Sequence, residues 1–190
     1  MLQSKERLLQ LNSKLAQTLT EKGVEATADE TTTALVDKIA EISGEDTLLK
    51  RIKNELSEFY TDEAVTISDH LFNGCSNLIK FAAPNATGVG GYAFLGCGPI
   101  KYIDVGNSSA YNANTAVGCH KIKTIIMRSK SVAVLSVKFS NNISITNGTC
   151  YFYVPKELVE EYKQATNWSV YANQIRAIED YPEEVNYDNY

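Results

Sequence analysis

Phe72-Asn73-Gly74-Cys75-Ser76-Asn77-Leu78, Phe94-Leu95-Gly96-Cys97-Gly98-Pro99-Ile100 and Ala116-Val117-Gly118-Cys119-His120-Lys121-Ile122 are versions of one segment set 22 residues apart. The register extends to both sides: Ile67 aligns with Val89, Phe81 with Ile103 and Ile125, and Ala83 with Val105 and Met127. A period of this length, with apolar residues at fixed offsets, means that each unit supplies one strand and one return segment. Each unit can bury its apolar side only by stacking on its neighbours. The spacing therefore predicts a short solenoid in which equivalent positions form columns.

Cys75, Cys97 and Cys119 occupy one such column, as compact and weakly polar side chains inside the coil. Zinc would require close ligand pairs of the Cys-x-x-Cys kind, and the sequence has none. Gly74, Gly96 and Gly118 each precede a cysteine at a tight bend. Gly88-Val89-Gly90-Gly91 is not a phosphate-binding loop, because it leads into Tyr92-Ala93-Phe94 of the repeat and not into a long helix.

Gly91-Tyr92-Ala93-Phe94-Leu95-Gly96-Cys97 resembles the YAF-x-GC signature of BspA-type leucine-rich repeats, and Ser68-Asp69-His70-Leu71-Phe72-Asn73-Gly74-Cys75 is a looser copy of it. The third copy departs from the pattern, with Asn114-Thr115-Ala116-Val117 where the family carries its aromatic. Residues 129–148 show no further copy in register, which gives three turns and an irregular one. Tyr151-Phe152-Tyr153-Val154-Pro155 and the helical run after it resemble the terminal cap of such solenoids, a strand and then a proline suited to a helix's first turn. A cap covers the open end of the coil, so Trp168 and Tyr171 read as packing residues. The resemblance covers residues 64–180 and implies a fold far more than an activity.

Ahead of the repeat, Leu8, Leu11, Leu15 and Leu19 form the apolar stripe of an amphipathic helix that Gly23 is placed to end. Thr27-Ala28-Asp29-Glu30 has the form of a capping box before a second helix carrying Leu35, Val36, Ile39 and Ile42. A third helix is expected from about Asp46 or Thr47 to Tyr60, with Leu48, Leu49, Ile52, Leu56 and Phe59 buried and Arg51 paired with Glu55. The three helices can pack within one chain or between chains as a stalk. The expected fold class is thus α+β: a short N-terminal helical region (1–62), a short leucine-rich-repeat solenoid with a C-terminal cap (63–180), and an acidic tail (181–190).

The formal net charge is -5 and the basic residues are scattered, so no cationic stripe exists to neutralise nucleic-acid phosphates. Charges recur every few residues in the opening MLQSKERLLQLNSKL, and no segment is apolar enough to span a bilayer, which leads us to expect a chain made and folded in a cytoplasm without membrane insertion. All four cysteines are then expected reduced, and the Asn-x-Ser/Thr sequons starting at Asn85, Asn107, Asn142, Asn147 and Asn167 carry no functional weight. His70 and His120 lie at non-corresponding places of the repeat, with no motif setting an acid beside a nucleophile. No catalytic residue, metal ligand or cofactor is expected.

The family resemblance implies one of two roles: a secreted surface adhesin, or a structural protein of a phage of gut bacteria. The opening helices are similar to the starts of small phage tail and fibre proteins, and the absence of an export signal favours the phage. The expected protein is a virion component, a tail or surface-fibre part, whose partners are other virion proteins and a host envelope glycan or protein. It is expected to form a homo-oligomer, a trimer by preference. Simple alternation along the strands exposes a binding stripe of Lys80, Tyr102 and Thr124 beside Ala82, Asp104 and Ile126. The tail from Glu179 to Tyr190 reads as either a loose end, given Pro182 and its charge, or an interface segment, given its three tyrosines.

Overall fold

A computed structural model describes residues 54–190, together with residues 10, 12–17, 19–21, 24–28, 30 and 34–35. Ten short strands are assigned in it: β1 (Glu58–Tyr60), β2 (Thr66–Ile67), β3 (Lys80–Ala82), β4 (Gly88–Val89), β5 (Tyr102–Asp104), β6 (Ala110–Tyr111), β7 (Thr124–Ile126), β8 (Val134–Leu135), β9 (Tyr151–Val154) and β10 (Ile175–Ala177). Six of them stack as one parallel sheet in the order β1-β3-β5-β7-β9-β10. The return segments add two small parallel pairs, β2 with β4 and β6 with β8.

Pairing is in register with the repeat, so side chains of equal offset lie side by side. Phe59, Phe81, Ile103, Ile125, Phe152 and Ile175 form the inward column. Phe59 stacks on Phe81 with ring centroids 5.1 Å apart, and Phe72 stacks on Phe94 at 5.7 Å. The two stacks meet edge to face, as between Phe81 and Phe94 at 4.8 Å, which is the arrangement that ring quadrupoles favour. The four cysteines are free thiols, all buried. Cys97 Sγ donates to the Phe72 carbonyl and Cys119 Sγ to the Phe94 carbonyl, each one turn back along the coil. Burial pushes the Cys119 thiol up to about 12. Contact with Cys75 together with burial pushes Cys97 up, and burial does the same for Cys150.

The repeat begins earlier than residue 63 and extends past three turns. Residues 58–60, expected at the end of a third helix, are strand β1, and Leu56 and Phe59 stand 22 residues ahead of Leu78 and Phe81. Asn54 and Glu55 are helical, while 46–53 lie outside the described residues, as does Arg51; Glu55 pairs with Lys14 at 2.9 Å. The irregular turn after β7 also completes a rung. Thr124 pairs with Tyr151, a step of 27 residues in place of 22. The extra length holds helix α1 (Ile143–Thr146), whose start is capped by the Asn142 side chain while its amide group donates to the Ala116 carbonyl at 3.0 Å.

Beyond Pro155 a 3-10 turn, Lys156–Leu158, leads into helix α2 (Val159–Gln164), as the cap reading expects. The cap's polar atoms serve the irregular turn. Trp168 Nε1 donates to the Ala133 carbonyl at 2.7 Å, and the hydroxyls of Tyr162 and Tyr171 accept from the Ala133 and Phe139 amides. Trp168 and Tyr171 are buried packing residues. In the N-terminal part, Leu15, Ala16, Leu19 and Leu35 form a separate small cluster, and the Thr27 amide donates to Glu30 Oε1 at 2.8 Å, one half of the expected capping box.

Gly74, Gly96 and Gly118 share a positive φ of +74°, +72° and +79°, which fits their place at the bends. Gly106 is held more tightly, because a Cβ there would come within 2.5 Å of the Ala83 carbonyl and 2.6 Å of the Ala86 amide. Gly106→Ala is expected to lower unfolding free energy by about 2–4 kcal/mol through backbone strain and overpacking, read as a shift in the urea midpoint.

Candidate functional site

The sheet face turned away from the core carries two columns. One runs Glu58, Lys80, Tyr102, Thr124, Tyr151; the other runs Tyr60, Ala82, Asp104, Ile126, Tyr153, Arg176. The stripe expected to be exposed is not. Lys80 is 5% exposed, Tyr102, Asp104 and Thr124 are each 1% exposed, and Ile126 is fully covered. The alternation was read correctly, but the chain's own C-terminus lies on this face.

The tail leaves β10 at Ile178, whose amide donates to the Val154 carbonyl, and crosses back over the sheet. Tyr181 packs edge to face on Tyr153, and the Tyr102 hydroxyl donates to the Val185 carbonyl at 2.8 Å. A final 3-10 turn, Tyr187–Asn189, sets the Tyr187 ring against Tyr60 and Tyr102, with Lys80 Nζ 4.2 Å from the ring centroid. The chain ends with the hydroxyls of Tyr190 and Thr124 2.6 Å apart. Residues 181–190 are therefore a docked element and not a loose end: tyrosine rings bury apolar area here while their hydroxyls keep polar partners.

Lys80 and Asp104 are paired under the tail. Lys80 meets Glu58 at 3.1 Å. Asp104 Oδ2 accepts from Arg128 Nε and Nη2 at 2.8 and 2.7 Å, and its Oδ1 accepts from the Gly106 amide. Burial holds the Asp104 carboxyl above its ordinary range, and Arg128 and the Gly106 amide pull it part of the way back. Burial and the neighbouring Asp104 carboxylate raise the Tyr102 phenol, and burial pushes Tyr153 up to about 12 with Arg176 opposing.

Where the end of the tail meets β7 and β9, a cavity of about 440 Å³ opens. Lys101, Lys121, Lys123 and Arg176 face it, with Tyr151 and Tyr190 among its walls. The sequence reading missed this grouping, although Lys101 and Lys123 stand one repeat apart and could have been found by that offset. It also missed an exposed pair, His70 stacked on Tyr92 at 5.2 Å, again 22 residues apart and both with positive φ. His120 lies on the cavity wall. Among the described residues no group of three or more His, Cys, Asp and Glu side chains is placed to hold a metal ion, and no helix is long and apolar enough to cross a membrane.

The family model for the BspA type leucine rich repeat region matches residues 52–158 in six copies. The chain belongs to the BspA-type leucine-rich-repeat family. The match starts ahead of β1 and so takes in the first strand of the sheet. No curated protein matches the chain. Repeats of the BspA type are binding and adhesion modules, and the match places this chain in that class.

Arg128→Ala would leave Asp104 as a buried and unbalanced charge, and is expected to cost about 3–5 kcal/mol. With the guanidinium gone the Asp104 pKa rises further, so the folded state holds the proton more tightly than the unfolded chain does. The variant's deficit relative to wild type should therefore shrink as pH falls from neutral, a trend that thermal melts at several pH values would read. Removing residues 181–190 should uncover Tyr102, Ile126 and Tyr153, seen as greater binding of a hydrophobic dye and faster amide exchange in β3, β5 and β7.

Proposed function

We propose that this BspA-type chain is an adhesion component of a bacteriophage particle, part of a tail or surface fibre. Its helical N-terminal part attaches it to other virion proteins or assembles it into a homo-oligomer, a trimer by preference. Its solenoid meets a host envelope component or a neighbouring virion protein. The observation that carries the binding role is the solenoid itself: six parallel strands stacked in one sheet make a rigid scaffold, and the family of such repeats works by adhesion. The resemblance of the opening helices to those of small phage tail and fibre proteins supports the virion placement. Several copies per particle would multiply weak contacts into useful avidity.

The repeat family also favours a second reading, an adhesion module on a bacterial cell surface. The two separate on where the chain is found. Quantitative mass spectrometry of gradient-purified particles and of cell-envelope fractions from the same culture should find it in the particles at several copies each; enrichment in the envelope with none in particles would establish the second reading. Light scattering of the full chain should give the mass of a trimer, and a monomer at micromolar concentration would sink the self-assembling part of the proposal.

A further inference from the structure

The cavity beside the end of the tail is out of keeping with the rest of the chain. The protein is acidic, with 23 Asp and Glu against 18 Lys and Arg, yet Lys101, Lys121, Lys123 and Arg176 face this one space and, among the described residues that line it, Glu184 supplies the one acidic side chain. Other charged groups near the sheet are matched, as Lys80 is by Glu58 and Arg128 by Asp104. Lys101, Lys121 and Lys123 have no ion-pair partner among the described residues.

The ladder makes this arrangement costly. The Lys123 amide donates to the Lys101 carbonyl at 2.8 Å, so the two lysines occupy the same position on adjacent rungs, where like charges repel. Both are exposed, and neither contributes to the core. A local rule broken without benefit to folding marks a place where function has set the residues.

The walls supply more than charge. The Tyr151 amide donates to the Lys123 carbonyl, which sets a tyrosine on the next rung. The Arg176 guanidinium lies 3.4 Å from the Tyr151 ring centroid, so its charge is held in place by cation–π stacking. The half-buried rings of Tyr151 and Tyr190 give the wall its apolar surface. An occupant must therefore carry negative charge and also present an apolar face.

We propose that this cavity binds an acidic saccharide unit, its carboxylate held by Lys101, Lys121 and Lys123 and the C–H face of its ring against the tyrosines. The volume lies in the lower part of the range of about 300–1,000 Å³ usual for small-ligand sites, which suits one or two sugar rings. An extended acidic peptide fits less well, because β7 and β9 are each paired on both sides and offer it no free backbone edge here. The proposal rests on the adhesion reading and names the chemistry of what is adhered to.

The test is calorimetric titration of the full chain with 3′-sialyllactose and with a glucuronate-containing disaccharide. Lactose, inorganic phosphate and a hexaglutamate peptide serve as comparisons. Binding of at least one acidic sugar, absent for lactose, is expected to weaken roughly tenfold in Lys123→Glu and in Lys101→Glu, since reversing one rim charge removes about 1.4 kcal/mol. Lys138→Glu, at an exposed lysine outside the cavity lining, should leave it unchanged, and melting temperatures would verify that each variant is folded. Silence with both acidic sugars, equal binding of lactose, insensitivity to both reversals, or binding of phosphate or hexaglutamate at least as tight would each overturn the proposal. If Lys123→Glu loses nothing in attachment to particles or cells, the saccharide site fails while the adhesion reading stands; if the wild-type chain attaches to neither yet binds the sugar, the reverse holds.

Discussion

Everything in the solenoid depends on parallel pairing in a single register. A parallel ladder sets residues of equal offset side by side at about 4.8 Å, so each position of the repeat must be compatible with copies of itself. Aromatic and branched apolar side chains meet this condition inside the coil, where Phe59 stacks on Phe81 and Ile103 is followed by Ile125. Small thiols meet it at the bend, bonding to carbonyls of the preceding turn. Charges do not, and on the outer face the columns alternate: Lys80 follows Glu58, and Asp104 lies between Ala82 and Ile126 with Arg128 brought in from a loop.

The same condition explains which parts could be read in advance. Three copies with glycine, cysteine and apolar residues at one offset left little choice of fold, and the strand positions of β3, β5 and β7 followed. The first rung was hidden because Leu49, Ile52, Leu56 and Phe59 satisfy the helical spacing of three and four, while Leu56 and Phe59 also satisfy the repeat's spacing. Pairing with a later strand decided between them, and a local pattern cannot carry that information. The fifth rung was hidden by five extra residues, which broke the alignment without breaking the ladder.

The outer face shows a different limit. Alternation identified which side chains point away from the core, but not what lies over them. The tail covers them through contacts separated by up to 129 residues, such as the Tyr187 hydroxyl with Glu58. Three tyrosines among acidic residues hinted at an interface, and the partner proved to be the chain's own sheet. The cationic cavity is built at the margin of this cover, with Glu184 and Tyr190 from the tail and the lysines from the coil, so neither segment read alone would reveal it.

The column of buried thiols has a chemical consequence. Oxidation and disulfide exchange proceed through the thiolate, and burial here opposes its formation at Cys97, Cys119 and Cys150. No covalent cross-link holds the coil, and its sulfur is withheld from reagents that would make one. The coil is held without any disulfide, so a reducing agent has no bond in it to break.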